Sequence, residues 1–302
     1  MHNLQSNLQK IQTVVSSFFQ FDVDRLGNFS FYPNRPIVSD IEIIALSITM
    51  EAIGISSENL LFSKLQSDYP FLFERFPNRR NFNKRRRKLQ DKIDKIALDM
   101  AEVLSLNEST FIIDSTPAPI CRTVRAPKLR IMKDDVDFQP AYGYQAIDKT
   151  RYFGFKLHIL VSSAGTIKNY ILTPANVHDI KVAEDLAEAF IHDCNLLGDK
   201  AFFSEPVQLS LFESFKVKLK TPKKRNMKTL SDWNKGDART RKMVETVFSQ
   251  LEDHFLMKRN YAKSFLGYHT RLTSKITAHT MLQYLNMLAN KPLNQIKHAL
   301  AA

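Results

Sequence analysis

Three acidic residues stand where a stiff backbone would present them. Asp114 follows the apolar run Phe111-Ile112-Ile113, and Asp199 follows Leu196-Leu197-Gly198. Glu245 lies beside Val244, Val247, Phe248, Leu251 and Phe255, which recur at helical spacing. A short apolar run bounded by turn residues reads as a strand buried on both faces. Two aspartates therefore leave what would be neighbouring strands, and one glutamate rides on a helix crossing the sheet. A carboxylate at a buried strand end is rigid and partly desolvated, which suits a metal ligand or a general base. An aspartate ahead of Ser115-Thr116-Pro117 equally suits a cap on the turn those residues predict. Three carboxylates facing one point repel unless cations neutralise them. Oxygen donors select Mg²⁺ or Mn²⁺ over zinc, and two such ions can activate an attacking oxygen and stabilise the leaving oxygen of a phosphodiester.

The elements that would position these groups can be read in order. Residues 1 to about 100 read as helical. Ser39-Asp40-Ile41-Glu42 is a capping box ahead of Ile41, Ile44, Ala45, Ile48 and Ala52. Gly54 ends that helix, and Ser56 or Ser57 caps the next. The pair reads either as a DNA-reading helix-turn-helix or as part of a small helical bundle. A basic run, Arg79 to Lys88 with Arg85, Arg86 and Arg87 at its centre, follows and predicts phosphate contact, since like charges this dense repel unless neutralised. After Pro117 comes a basic irregular stretch carrying an acidic cluster, Asp134, Asp135 and Asp137, that ranks behind the three acids as a metal site because no buried strand holds it. Residues 152–161 and 167–172 predict a hairpin, 179–191 a helix, 195–199 a short strand, 207–212 a helix and 215–219 a strand. Two long helices, from about Asp237 and over 270–293, close the chain.

The chain has 302 residues and is 44% hydrophobic, enough for one large domain or two smaller ones. No apolar stretch is long enough to span a bilayer, and the N-terminus lacks a signal pattern, so a cytoplasmic protein is expected. Cys121 and Cys194 are the only cysteines, which implies no disulfide framework and no zinc site. The net charge of +12 points to a polyanionic partner. Residues 216–242 hold eleven Lys and Arg, Lys223, Lys224 and Arg225 among them, against Asp232 and Asp237, so this segment alone contributes +9. Phosphate approaches carboxylates only inside such a basic surround. Trp233, the only tryptophan, sits there as a loop anchor or a base-stacking platform. His158, in mid-strand, reads as a packed core residue.

Asp114 in FIIDSTP, the segment YFGFKLHILVSSAGTIKNYILTPANVHD, Asp199 in LLGDKAF and Glu245 in RTRKMVETVFSQLE together resemble the DDE transposases of bacterial insertion sequences. The helical opening and FNKRRRKL are similar to the N-terminal region of one branch of that family. The resemblance covers almost the whole chain. It implies an α+β protein with an RNase H-like mixed sheet flanked by helices and a small all-helical N-terminal domain, divided as 1–105 and 106–302. It also implies two divalent ions, Mg²⁺ with Mn²⁺ as a substitute, held by Asp114, Asp199 and Glu245. The implied partner is double-stranded DNA, cut and joined at transposon ends by a dimer or larger assembly, nucleoid-associated when bound. Lys200, Arg241 and Lys242 are the expected DNA contacts near the acids, with Arg241 equally readable as half of an ordinary helix ion pair and Lys200 as a solvated loop lysine, and Asp179, after His178, is a family feature that reads as a helix cap or a metal ligand. Several relatives place a tyrosine and a lysine around the third acid; here those slots hold Ala238 and Glu252, so their roles pass elsewhere. A plain RNase H-like nuclease and a non-catalytic DNA-binding regulator remain the alternative readings.

Overall fold

The capping box at Ser39 forms: its hydroxyl accepts from the Glu42 N–H, and the Glu42 carboxylate accepts from the Ser39 N–H at 2.7 Å. Ser57 caps the next helix, and Gly54 between them sits at φ +76°, a conformation that favours glycine. The computed structural model describes residues 3–73, 77–132, 138–145, 149–188, 190–222 and 232–301. Its helices and strands begin with α1 (Leu4–Phe18), α2 (Asp40–Ala52), α3 (Glu58–Asp68), α4 (Arg79–Lys88) and α5 (Gln90–Leu104). The sheet region follows with β1 (Thr110–Cys121), β2 (Ala141–Gln145), β3 (Thr150–Ser162), β4 (Ile167–Pro174), α6 (Ala183–Ala187), β5 (Asn195–Leu197), α7 (Glu205–Phe215) and β6 (Lys218–Lys220). Two long helices end the chain, α8 (Lys235–Asp253) and α9 (Phe265–Leu288).

Two units divide the chain. The first comprises Met1–Met100, Leu251–Ala262 and Leu266–Ala302, so the C-terminal helix α9 lies with the N-terminal helices, whereas the sequence boundary at 105/106 grouped it with the sheet. The reason is visible in α9 itself. Its middle is buried on every side, and its polar groups bond to helices of this unit: Thr277 Oγ1 to the Ile93 carbonyl at 3.1 Å, Thr270 Oγ1 to Gln90 Oε1 at 2.8 Å, and Lys275 to Glu51. α2 is likewise buried almost throughout, which makes it a core helix of the bundle. His279 in α9 is fully buried, and that burial pushes its imidazole down to about 3, with His254 adding to the shift. The native state must therefore hold this ring neutral while the unfolded chain protonates it from about pH 6.5 downward. Stability is expected to fall as pH drops from 6.5 toward 3. His279→Leu should flatten that slope in urea unfolding followed by circular dichroism, and an unchanged slope would contradict the assignment.

The second unit, Ala101–Gln250 with Lys263–Phe265, holds the sheet. Its order is β4-β3-β1-β5-β6, with β2 sharing the β4 edge of β3. β1, β3 and β4 are antiparallel neighbours, and β5 and β6 join β1 in parallel, as expected of an RNase H-like mixed sheet. α6 and α7 cover one face, where Phe111, Ile113, Leu160, Leu186, Leu196, Phe202 and Leu211 form the core. Three details differ from the sequence expectations. β1 runs past Asp114 to Cys121 instead of turning at Pro117. Among the described residues β5 pairs with β1 only through Ile112, so no strand of the sheet lies beside β1 beyond it on that side, which leaves room for Pro117 and Pro119, each without an N–H. The helix expected over 179–191 is a 3-10 turn, Asp179–Val182, and the five residues of α6. β2 forms within the stretch read as irregular, its exposed Tyr142 and Tyr144 alternating with the buried Gly143.

Candidate active site

The parallel pairing of β1 and β5 sets Thr110 opposite Asn195, Phe111 opposite Leu196 and Ile112 opposite Leu197. Asp114 and Asp199 each follow the last of these pairs by two residues, and the two-residue side-chain period of β1 sets Asp114 on the face of Ile112. That face is opposite the one filled by Phe111, Ile113 and Leu196. Gly198 lets β5 end there: a Cβ on it would lie 3.0 Å from Phe202 Cβ and 3.3 Å from Ile113 Cγ2. Asp199 then accepts from the Ala201 N–H at 2.8 Å and caps a 3-10 turn, Lys200–Phe202, which fixes where the strand stops.

α8 brings the third acid. Its start is locked by reciprocal caps, with the Asp237 N–H donating to Asn234 Oδ1 at 3.0 Å and the Asn234 N–H to Asp237 Oδ2 at 3.1 Å. Val244 and Val247 are fully buried, so the helix is held by its apolar stripe. Arg241 and Glu245 sit one turn apart on it. Arg241 Nη1 donates to Asp114 Oδ2 at 2.9 Å and Nη2 to Glu245 Oε1 at 3.2 Å, tying the helix to β1. Asp114, Asp199, Glu245, Asp179, Arg241 and Lys156 all line one cleft of about 420 Å³. Burial pushes the Asp114 carboxyl up to about 6; the Ser115 N–H opposes, Asp199 adds, Arg241 opposes, and Asp179 adds. The two aspartates thus feel each other's charge, which is the repulsion expected of carboxylates sharing a cation site.

Asp179 goes beyond its sequence reading. It does not cap its own turn, since His178 is the N-cap and makes no side-chain cap bond. Its Oδ1 accepts instead from Ser115 Oγ at 2.9 Å and Lys156 Nζ at 3.0 Å and lies 3.6 Å from His158 Nδ1. His158 is buried as expected, bonded through Nε2 to Thr173 Oγ1 at 2.9 Å, and burial lowers it to about 4, with Asp179 opposing and Lys156 adding. Ser115 and Lys156 are the residues that sequence reasoning missed. The one available signal was their place on the strands flanking Asp114, since Lys156 pairs with Pro117 across the ladder.

Among the described residues, no three His, Cys, Asp or Glu stand close enough to hold a metal ion as they are. The guanidinium of Arg241 lies between Asp114 and Glu245, where it serves as their cation. The donor set nevertheless fits a hard divalent ion: it is all oxygen, it lines a single cleft, and burial leaves Asp114 short of the charge neutralisation a dication supplies.

Of the expected DNA contacts, Lys200 and Lys242 are exposed, and Trp233 is half-buried just ahead of α8. Lys223, Lys224 and Arg225 lie outside the described residues, as do Asp134, Asp135 and Asp137. The central arginines of α4 require a correction. Arg86 is 1% exposed and pairs with Glu51 at 3.0 Å and Glu58 at 3.7 Å, so its charge is already spent inside the bundle. Arg85 donates to Asp40 and to the Val38 carbonyl and is similarly committed. Arg87 is half-buried, with its Nε on the Asn83 carbonyl.

An antiparallel trio continued by two parallel strands, with aspartates following β5 and within β1 and an acid on α8 in the same cleft, is the α+β arrangement of an RNase H-like protein. Residues 105–281, more than half of the chain, match the transposase DDE domain family, and the chain belongs to that family. It is thereby a transposase-type protein, of a family that acts on DNA and generally uses divalent metal ions. No curated protein and no solved structure matches the chain. No helix among the described residues is long and apolar enough to cross a membrane.

Proposed function

We propose that this protein binds the terminal inverted repeats of a bacterial insertion sequence, cleaves the flanking phosphodiester and joins the freed 3′-hydroxyl to target DNA. The observation that carries the reading is that Asp114, Asp199 and Glu245 line one cleft, two of them just beyond the paired stretch of β1 and β5 and the third on α8. Asp114, Asp199 and Glu245 would hold two divalent ions, Mg²⁺ or Mn²⁺, which supply activation of the attacking oxygen and charge for the leaving one. With those carboxylates engaged by ions, the Arg241 guanidinium would be available to the scissile phosphate, to which its planar fork is suited. Asp179 keeps the Lys156 ammonium at the cleft wall, where it faces the incoming backbone. Lys200, Lys242, Arg87, Trp233 and the Lys223–Arg225 cluster extend the grip along the DNA. The helical unit, with α9 in it, serves binding and assembly, the sheet unit catalysis, and two protomers handle the paired ends. The protein works in the cytoplasm, on nucleoid DNA.

The test is strand transfer. Purified protein, a labelled duplex ending in the inverted repeat that flanks the coding region, and a supercoiled plasmid are incubated with Mg²⁺ or Mn²⁺. End cleavage followed by covalent joining of the label to plasmid is expected. Cutting without joining would favour a plain nuclease, and binding without cutting a regulator.

A further inference from the structure

The N-terminal unit contains a second cleft, about 390 Å³, lined by the basic Arg35, Lys84, Arg85 and Lys88 and by apolar residues that include Ile37, Ile43 and Phe82. Among the described residues, no carboxylate belongs to its lining. Arg85 is neutralised by Asp40, and its guanidinium lies 5.1 Å from the centre of the Tyr32 ring in the cleft wall. Arg35, Lys84 and Lys88 are exposed and have no ion pair or hydrogen bond among the described residues. They come from two separate stretches of chain, so the fold has gathered them. Three unneutralised cations around one hollow repel unless an anion sits between them. The volume lies within the ~300–1,000 Å³ of pockets that enclose small ligands. Ile37, 57% exposed at the edge, is a large apolar side chain left in water unless something flat covers it.

We infer that this cleft binds one unpaired nucleotide of DNA, its phosphate held by Arg35, Lys84 and Lys88 and its base laid against Ile37 and the apolar lining. Asn81, also in the lining, offers an amide to a base edge. The site is separate from the acidic cleft and rests on the reading that the chain handles DNA. It reassigns the α4 basic run: phosphate contact passes from the committed Arg85 and Arg86 to the outward Lys84 and Lys88.

The test is fluorescence anisotropy with the full-length protein and a short labelled oligothymidylate, across a salt series, beside an abasic oligomer of equal length. Lys84→Glu with Lys88→Glu should weaken oligothymidylate binding by about tenfold or more. It should also reduce the log–log salt slope by about 1.4, at ~0.7 per single-strand phosphate contact. Lys10→Glu with Lys297→Glu, exposed on the same unit, controls for net charge and should change binding several-fold less. Ile37→Ser should weaken oligothymidylate binding while leaving the abasic oligomer unaffected. Equal losses in the two charge-reversed proteins would overturn the site, as would equal affinity of the wild type for both oligomers. Wild-type protein that binds neither these oligomers nor duplex DNA would overturn the DNA reading itself.

Discussion

Asparagine at Asp114 is expected to abolish both cleavage and joining, by about 10³-fold or more, equivalent to ~4 kcal/mol of lost transition-state stabilisation. The substitution keeps the size of the side chain and removes only its charge. Within the proposed site that charge has no substitute: Asp199 is held as the cap of the turn after β5 and Glu245 is 59% exposed on α8, so neither takes over the half-buried position on β1. The folded protein should tolerate the change. Burial and the nearby Asp199 hold the Asp114 carboxyl up to about 6, so the charged form costs stability at neutral pH and an amide relieves it. The sign is that of a raised acid: the native state binds more protons than the unfolded chain between about 3.8 and 6, so stability from this residue falls as pH rises through that window. A divalent ion reverses this by favouring the carboxylate, and its affinity should weaken as pH drops through about 6. The checks are strand transfer in Mn²⁺, duplex binding by anisotropy, which should be retained, and thermal unfolding with and without metal. Full joining by Asp114→Asn would end the assignment of this carboxylate to the metal site. Asp199→Asn should behave alike in the joining assay.

The site was legible in the sequence where a single local signal sufficed. An apolar run ending in aspartate announced Asp114 and Asp199, and helical spacing placed Glu245 and Arg241 on one face. What was not legible needed knowledge of partners distant in the chain. Asp179 reads as a helix cap or a metal ligand, and sequence alone does not choose, because Asp at a helix start is usually a cap; the β1–β3 ladder, which brings Ser115 opposite His158 and places Lys156 nearby, supplies the partners its carboxylate takes instead. The strand end at Asp114 was misread for a related reason. Ser-Thr-Pro signals a turn when a strand has neighbours on both sides, and the early end of β5 removes one neighbour. α9 was assigned to the sheet half because sequence order suggests it, yet its uninterrupted burial fits a bundle interior better than a sheet cover. In α4, a run of like charges looks uniform in sequence, while the helix turns some outward and one fully inward.

That inward residue sets the second large effect. Glutamine at Glu51 is expected to destabilise the protein by about 3–5 kcal/mol, the usual cost of removing one partner from a buried ion pair. Glu51 and its partners Arg86 and Lys275 are each about 1% exposed. Burial alone would raise the Glu51 carboxyl; Lys275, Arg86 and Arg271 together pull it below its ordinary value. Burial in turn pushes the Lys275 ammonium down, with Glu51 opposing. Without the carboxylate, Arg86 retains Glu58 at 3.7 Å and the Met50 sulfur at 3.6 Å, and Lys275 retains the Phe255 carbonyl at 2.6 Å, so two buried cations are left poorly neutralised. The loss should appear as a lower urea midpoint with an unchanged slope. Removing all three charges at once, as Glu51→Leu, Arg86→Met and Lys275→Met, should recover most of the loss, because apolar side chains of similar volume do not pay the desolvation that the ions do. The depressed Glu51 carboxyl gives a further check on sign. Its stabilisation is fully present above the ordinary value near 4.5 and is lost as pH falls through the lower folded value, so acid should narrow the gap between wild type and Glu51→Gln. A gap under ~0.5 kcal/mol at neutral pH, or a triple variant no more stable than the single one, would show that the bundle does not depend on this cluster.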